Sequence, residues 1–468
     1  MSPSDEPLVE LENARLLTRL DAKPKGNLTA ACEKLKAEIG HSTNWLNPNN
    51  PTDVTSAFNL CALLQFHCGE LDRAEAVCHR AIKNCQTLAD YEPHPRWAAQ
   101  MIQPYINLGR IAATRGYASA SLQVFTDVFR LFHEGCDLFI DGFLLSASML
   151  DELEREEPTI RLVSRNVYVL DSLRALLLAN DYEALMEFAD RASQQVPDQQ
   201  LALMEARVRA LTGMAKYADA LTLAKQLFRQ MANEQVVSPV LYALIADIYR
   251  RCAMPGDAKK LLDHAKHNLE KLASKVANKT AVVHSWYRIG LMQYLIDDLE
   301  NAYAVAKIAL EMAEQLTDEA SVIKALILLL KVGVRIEGGE PERWFSKLAA
   351  ASDASHYRVE NAVACQQLAE SADYIAADPA TAGSVKLGYL VKSLAAWKAL
   401  GTKTASLKAK EVEDQISALG VAPYSVDSRL PEVDQVLHNQ SVDELYRFLM
   451  GFNPLNSYRV DDRATVEV

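Results

Sequence analysis

Residues 282–309 read VVHSWYRIGLMQYLIDDLENAYAVAKIA, and the order of bulky and small side chains in this stretch decides the fold. Side chains three and four residues apart share one face of a helix, so Trp286, Ile289 and Gly290 line a single face of a first helix. Asp297-Asp298 mark a turn. Ala302, Ala306 and Ala309 then line a second helix by the same spacing. Glycine and alanine at these places let two antiparallel helices approach closely, while Trp286 fills the space between one pair and the next.

The pattern recurs on either side. Tyr242, Ile245, Ala246 and Tyr249 precede Pro255-Gly256 as a turn, then Ala258, Leu262 and Ala265. Phe58, Cys61 and Ala62 precede Gly69-Glu70, then Ala74, Cys78 and Ala81. Looser copies begin at Tyr105 with Leu108 and Gly109, at Val169 with Leu173 and Leu176, and at Met204 with Val208 and Leu211. Ser172 and Arg207 interrupt the small-aliphatic pair in the last two. These residues resemble the tetratricopeptide repeat, whose two-helix pattern runs Trp, Leu-Gly, Tyr, then Ala and Phe. The resemblance covers residues 55–315. It implies an all-α chain, a right-handed superhelical α-solenoid of antiparallel helix pairs. It implies almost nothing about function, because this repeat serves many unrelated proteins.

Repeat starts near 55, 102, 166, 201, 239 and 283 are spaced unevenly around the family's unit of about 34 residues. Residues 1–46 read as an N-terminal helical hairpin cap, with helical apolar spacing over 8–20 and 28–39. A first lobe with its connector is expected over 47–160. The connector is the charged run DELEREEP at 151–158, whose proline disfavours helix in the residue before it. A second lobe is expected over 161–319, degenerate C-terminal helical repeats over 320–420, and a tail with one short helix over 421–468. That helix, 445–450, follows a capping box at Ser441 to Glu444 and is expected to dock on the last repeat.

Composition bounds the function. The 468 residues are 49% hydrophobic and 24% charged, as in a well-folded chain. Lysine and arginine number 49 against 61 acids, a net charge of −12 that argues against direct nucleic-acid binding by the whole surface. The opening MSPSDEPLVE lacks the basic start and apolar stretch of a signal peptide. The most apolar runs, 138–150 and 323–334, are interrupted by Asp141, Lys324 and Lys331 and fall short of the roughly 20 residues a membrane helix needs. Eight scattered cysteines fit free thiols in a reducing compartment. A cytoplasmic protein without a membrane partner is expected.

Motifs of catalysis are missing from the sequence: no phosphate-binding glycine loop, His-Glu-x-x-His, Gly-x-Ser-x-Gly or paired Cys-x-x-Cys occurs. No catalytic residue and no cofactor is assigned. Cys61, His67, Cys68, Cys78, His79 and Cys85 share one helix pair and have zinc-ligand chemistry. Cys61 and Cys78 nevertheless hold packing positions of the repeat, where cysteine acts as a small hydrophobe, so core packing is the favoured reading. His264 and His267 share a helix face but sit among Asp263, Lys266 and Asn268, as on an exposed polar face.

A positional signal remains. The residue after the small position of the first helix faces the inner side of such a stack, and it is arginine at Arg110, Arg174 and Arg209. Asp247 holds that place in the next repeat, with Arg250 and Arg251 one turn on, and Tyr287 and Tyr294 follow on the Trp286 helix. Arginine's planar fork suits carboxylates, and tyrosine and arginine recur at binding hot spots. The expectation is a concave groove that binds a protein or peptide segment of acidic character, as in an adaptor or scaffold. Two other readings stay open: a receptor holding a small molecule or short peptide, and a helical enzyme of another kind. Exposed terminal repeats are also compatible with a homodimer.

Overall fold

The computed structural model describes residues 54–91, 94–156, 159–233, 239–273, 279–355, 357–421, 446–447 and 449–450. The expected hairpin cap over 1–46 and most of the tail lie outside them. Contacts divide the chain into two compact units, one holding the described residues 54–181 and 446–450, the other 182–421.

In the N-terminal unit, α1 (Val54–His67) and α2 (Leu71–Tyr91) form one antiparallel pair, and α3 (Pro95–Arg115) and α4 (Ala118–Glu134) the next. Two short strands follow, β1 (Leu138–Ile140) and β2 (Phe143–Leu145), then α5 (Leu150–Glu156). A continuous helical stretch closes the unit: α6 (Ile160–Asn166), a π-helical turn (Val167–Asp171) and α7 (Ser172–Leu178). The C-terminal unit is helical throughout its described residues. It comprises α8 (Tyr182–Gln195), α9 (Gln200–Gly213), α10 (Tyr217–Asn233), α11 (Pro239–Arg251), α12 (Pro255–Leu272), α13 (Lys279–Leu295) and α14 (Leu299–Gln315). Then come α15 (Glu319–Gly333), α16 (Pro341–Ala354), α17 (Arg358–Ile375), α18 (Pro379–Leu400) and α19 (Lys403–Ala418).

The all-α reading holds, with one small hairpin added. Within each unit most neighbouring helices pack on each other in sequence order, and first helices also contact the first helix of the next pair: α1 on α3, then α9 on α11, α11 on α13, α13 on α15. The close approach read from the sequence is visible at Gly290. A Cβ there would stand 3.1 Å from Leu328 Cδ2 on α15 and 3.2 Å from Val305 Cγ1 on α14.

One turn geometry ends α1, α3, α7, α9, α11 and α13. Gly69, Gly116, Asn180, Ala215, Ala253 and Asp297 adopt the left-handed conformation, with φ from 55° to 90°. Each donates its N–H to the carbonyl three residues back, and the next residue donates to the carbonyl five back. Ala253 thus bonds Arg250 at 3.0 Å and Met254 bonds Tyr249 at 2.9 Å. This double bond satisfies carbonyls that the helix end leaves orphaned. The turn of the α11–α12 pair therefore lies at Ala253-Met254 and not at Pro255-Gly256. Pro255 is the first residue of α12, where a missing N–H costs nothing.

Three other expectations change. The boundary between units falls after Asp181 instead of at 160, because α6 and α7 pack on α4 and α3. The apolar run 138–150 begins with a hairpin, since Asp141-Gly142, at φ 47° and 86°, supplies the two left-handed residues of a tight turn. Leu138, Ile140 and Leu145 point from it into the core of α3, α4 and α5. The short C-terminal helix meets the first pair and not the last repeat: Leu449 is fully buried, and the Arg73 guanidinium of α2 lies 5.4 Å from the Tyr446 ring.

Within the C-terminal unit, α15 and α17 are buried on nearly every face. A helix sunk this deeply is usually apolar all round. Yet α15 carries Lys324 and α17 carries Glu360, both without exposure to speak of. Among the described residues no helix is long and apolar enough to cross a membrane.

Candidate functional site

In the N-terminal unit, a line of polar side chains crosses the first-helix faces. Gln103, Asn107 and Arg110 lie one turn apart on α3 and share a face. The Asn107 amide donates to Asn59 Oδ1 of α1 at 3.0 Å, and its own oxygen accepts from Gln103 at 3.0 Å and from Arg110 at 3.3 Å. Arg110 continues the line to Asp171, with Nε at 3.1 Å and Nη2 at 2.7 Å from Oδ2. Arg174 donates to the other oxygen, Oδ1, at 3.1 Å. Asp171 is buried, so the two guanidiniums replace the water it has lost.

The π turn sets this up. It ends on Asp171 and adds a residue to the turn, which shifts the register of α7 against α6. The same extra residue explains why this copy of the repeat fits its pattern poorly. Around the cluster lies a recess with Phe66, Phe125 and Leu178 as apolar lining and Ala113 and Thr114 beside them. Its charged residues are Arg110, Arg174 and Asp171. Arg174, with 34% of its side chain exposed, is the part of the cluster that solvent reaches best.

The C-terminal unit repeats this stoichiometry on α11. Asp247 accepts from Arg250 Nε and Nη2 at 3.0 and 2.7 Å and from Arg251 Nε at 2.8 Å. Burial raises the affinity of Asp247 for a proton, but the hydrogen bonds from Arg251 and Arg250 outweigh it and hold the carboxyl below its ordinary range. The Arg251 guanidinium also lies 6.0 Å from the Tyr217 ring. On α9, Arg209 folds back onto Glu205 of the preceding turn, with Nη2 at 2.6 Å, so that pair is neutral.

Both tyrosines of the expected groove have partners of their own. Tyr287 is buried, next to the His284 ring at 6.4 Å. Following Trp286 directly, it turns toward the core of the stack and away from a solvent groove. Tyr294 carries the Arg335 guanidinium over its ring at 5.4 Å, and Arg335 in turn meets Asp297 at 2.6 Å.

Cys61, Cys68, Cys78 and Cys85 are buried free thiols. Burial, helped by the Glu75 charge, pushes the Cys78 thiol far above its ordinary range. His79 turns out of this pair and meets Asp141 of the hairpin, Nδ1 to Oδ2 at 2.7 Å. The His67 side chain lies outside the described residues. Among the described residues no three His, Cys, Asp or Glu side chains are placed to share a metal ion. His264 and His267 are exposed.

The arginines were visible in the sequence, but Asp171 was not. It sits 61 positions from Arg110, and only the fold joins them. Compared with known proteins, the chain matches no family model, and no curated protein is significantly similar to it.

Proposed function

We propose that the chain is a tetratricopeptide-like solenoid that works as an interaction protein, holding an acidic segment of a partner on the first-helix faces of its helix pairs. The observation that carries this reading is the pairing of two arginines with one buried carboxylate, at Asp171 in one unit and at Asp247 in the other. Each cluster sets two guanidiniums on one carboxylate. The internal carboxylate holds the guanidiniums in a fixed orientation, so little side-chain entropy is left to lose when a second carboxylate arrives. Apolar lining beside Arg174 adds a place for the partner's neighbouring side chain. The shared turn geometry and the stacking of first helices on one another support the repeat reading.

A test uses a labelled oligoglutamate peptide ending in a free carboxylate, with oligolysine as control, read by fluorescence anisotropy. Arg174→Gln and Arg250→Gln are each expected to weaken oligoglutamate binding about tenfold, the equivalent of one charge-assisted hydrogen bond. Circular dichroism establishes that both variants stay helical. Equal binding of oligolysine, or oligoglutamate binding that neither substitution changes, rejects the reading.

A further inference from the structure

The hairpin of the N-terminal unit is apolar on both faces, although only one face is covered. Leu138, Ile140 and Leu145 are buried in the core, whereas Phe139 is 66% exposed and Leu144 44%. These two are directly opposite each other across the strands. Because a two-residue turn joins Ile140 to Phe143, that flanking pair exchanges the ladder bonds. Phe139 and Leu144 then form the next, non-bonded pair, whose side chains lie close together and whose backbone groups point outward along both strand edges. Exposed strand edges of this kind accept further strands.

The hairpin is held in place independently of its outer face. His79 meets Asp141, Gln86 Nε2 donates to the Ile140 carbonyl at 3.1 Å, and Asp137 Oδ1 accepts from the Ala147 N–H at 2.8 Å. The outer pair thus contributes little to anchoring and is presented on a rigid support, which lowers the entropic cost of binding. The hairpin's own stretch of chain carries charge of one sign. From Glu134 to Glu152 the chain carries Asp137, Asp141 and Asp151 and no lysine or arginine. Glu134 is paired with Arg130 and Asp141 with His79, but Asp151 and Glu152 stand exposed in the first turn of α5.

We infer that this face docks an extended segment of a partner protein in which apolar residues alternate with lysine or arginine, added as a strand beside the hairpin. The apolar side chains cover Phe139 and Leu144, and the basic ones meet the acidic rim. This surface is separate from the arginine clusters and selects the opposite charge.

The experiment uses the purified full chain and two labelled peptides, one alternating valine with lysine, the other valine with glutamate. Binding is read by anisotropy, and sedimentation gives the oligomeric state. The valine-lysine peptide is expected to bind in a salt-sensitive way. The double variant F139S/L144S weakens it about tenfold or more while leaving the melting curve unchanged, because both side chains are exposed. D151N/E152Q weakens it several-fold through the charge alone. The inference is overturned if the valine-lysine peptide fails to bind, if the valine-glutamate peptide binds equally, or if F139S/L144S binds as the native chain does. A native dimer that F139S/L144S converts to a monomer also overturns it, assigning the face to a second copy.

Discussion

Lys324 of α15 and Glu360 of α17 face each other inside the C-terminal unit, Nζ 3.9 Å from Oε1, at 1% and 0% exposure. Each charge makes the other tolerable in a region that water does not reach. Removing one partner breaks a buried ion pair, which costs about 3–5 kcal/mol, whereas replacing both by apolar groups of similar volume is often neutral or stabilising. Lys324→Met and Glu360→Leu are therefore each expected to lower the urea midpoint sharply, and the double variant to recover most of the loss. Additive losses in the double variant are the result that contradicts this account.

The left-handed turn residues define a second expectation. Ala215 and Ala253 occupy φ of 59° and 58°, where a Cβ is strained by about 1–2 kcal/mol against glycine. Glycine also loses more freedom on folding, which offsets part of that gain. Ala253→Gly should stabilise the chain by about 0.5–1 kcal/mol, seen as a higher melting temperature. Gly69→Ala, at φ 74°, should do the reverse. A drop in melting temperature for Ala253→Gly refutes the strain argument.

Physical range explains what the sequence revealed and what it hid. Helix pairing was legible because Gly290 and Ala302 lie in one short stretch and their smallness has a local cause, the approach of α13 to α14. The nearness of Arg250 and Arg251 to Asp247 was legible for the same reason, since they are one turn apart, but their pairing with it was not. Asp171 and its bond to Arg110 were hidden, because the π turn breaks the repeat's period at that place. Asp141-Gly142 did carry a hairpin signal between two apolar triplets. The surrounding helical pattern masked it. Tyr287 shows the opposite case: repeat position alone places it on the inner face, yet it is buried in the core beside Trp286.

Gly109 provides a packing test in the N-terminal unit. A Cβ there would stand 2.8 Å from Phe125 Cε1 and 2.9 Å from Val124 Cγ1 of α4, closer than packed carbons approach. Alanine favours the helix by about 1 kcal/mol over glycine, but forcing α4 outward in a filled core costs about 1–3 kcal/mol. Phe125 is fully buried and has little room to yield. Gly109→Ala should therefore destabilise the N-terminal unit by about 1 kcal/mol in chemical denaturation. A stabilised variant means that α3 and α4 can separate freely.

Alkaline pH tests the burial of Cys365 and Tyr105. Burial pushes the Cys365 thiol up to about 11, opposed by its Ser352 hydrogen bond and the Lys392 charge and reinforced by Asp353. Burial, with the charges of Asp127 and Asp141, pushes the Tyr105 phenol up to about 12. Both folded values exceed the unfolded ones, so the folded state retains protons that the unfolded state releases. Stability is then full below the unfolded values, 9.0 for the thiol and 10.0 for the phenol, and falls as pH rises through the folded values. Each group contributes a slope of up to about 1.4 kcal/mol per pH unit within its window. Under reducing conditions the urea midpoint should decline across that range, and Cys365→Ala should flatten the earlier part of the decline while adding a constant cost for the cavity. A midpoint independent of pH up to about 11 would show that neither group is shielded from water in the folded chain.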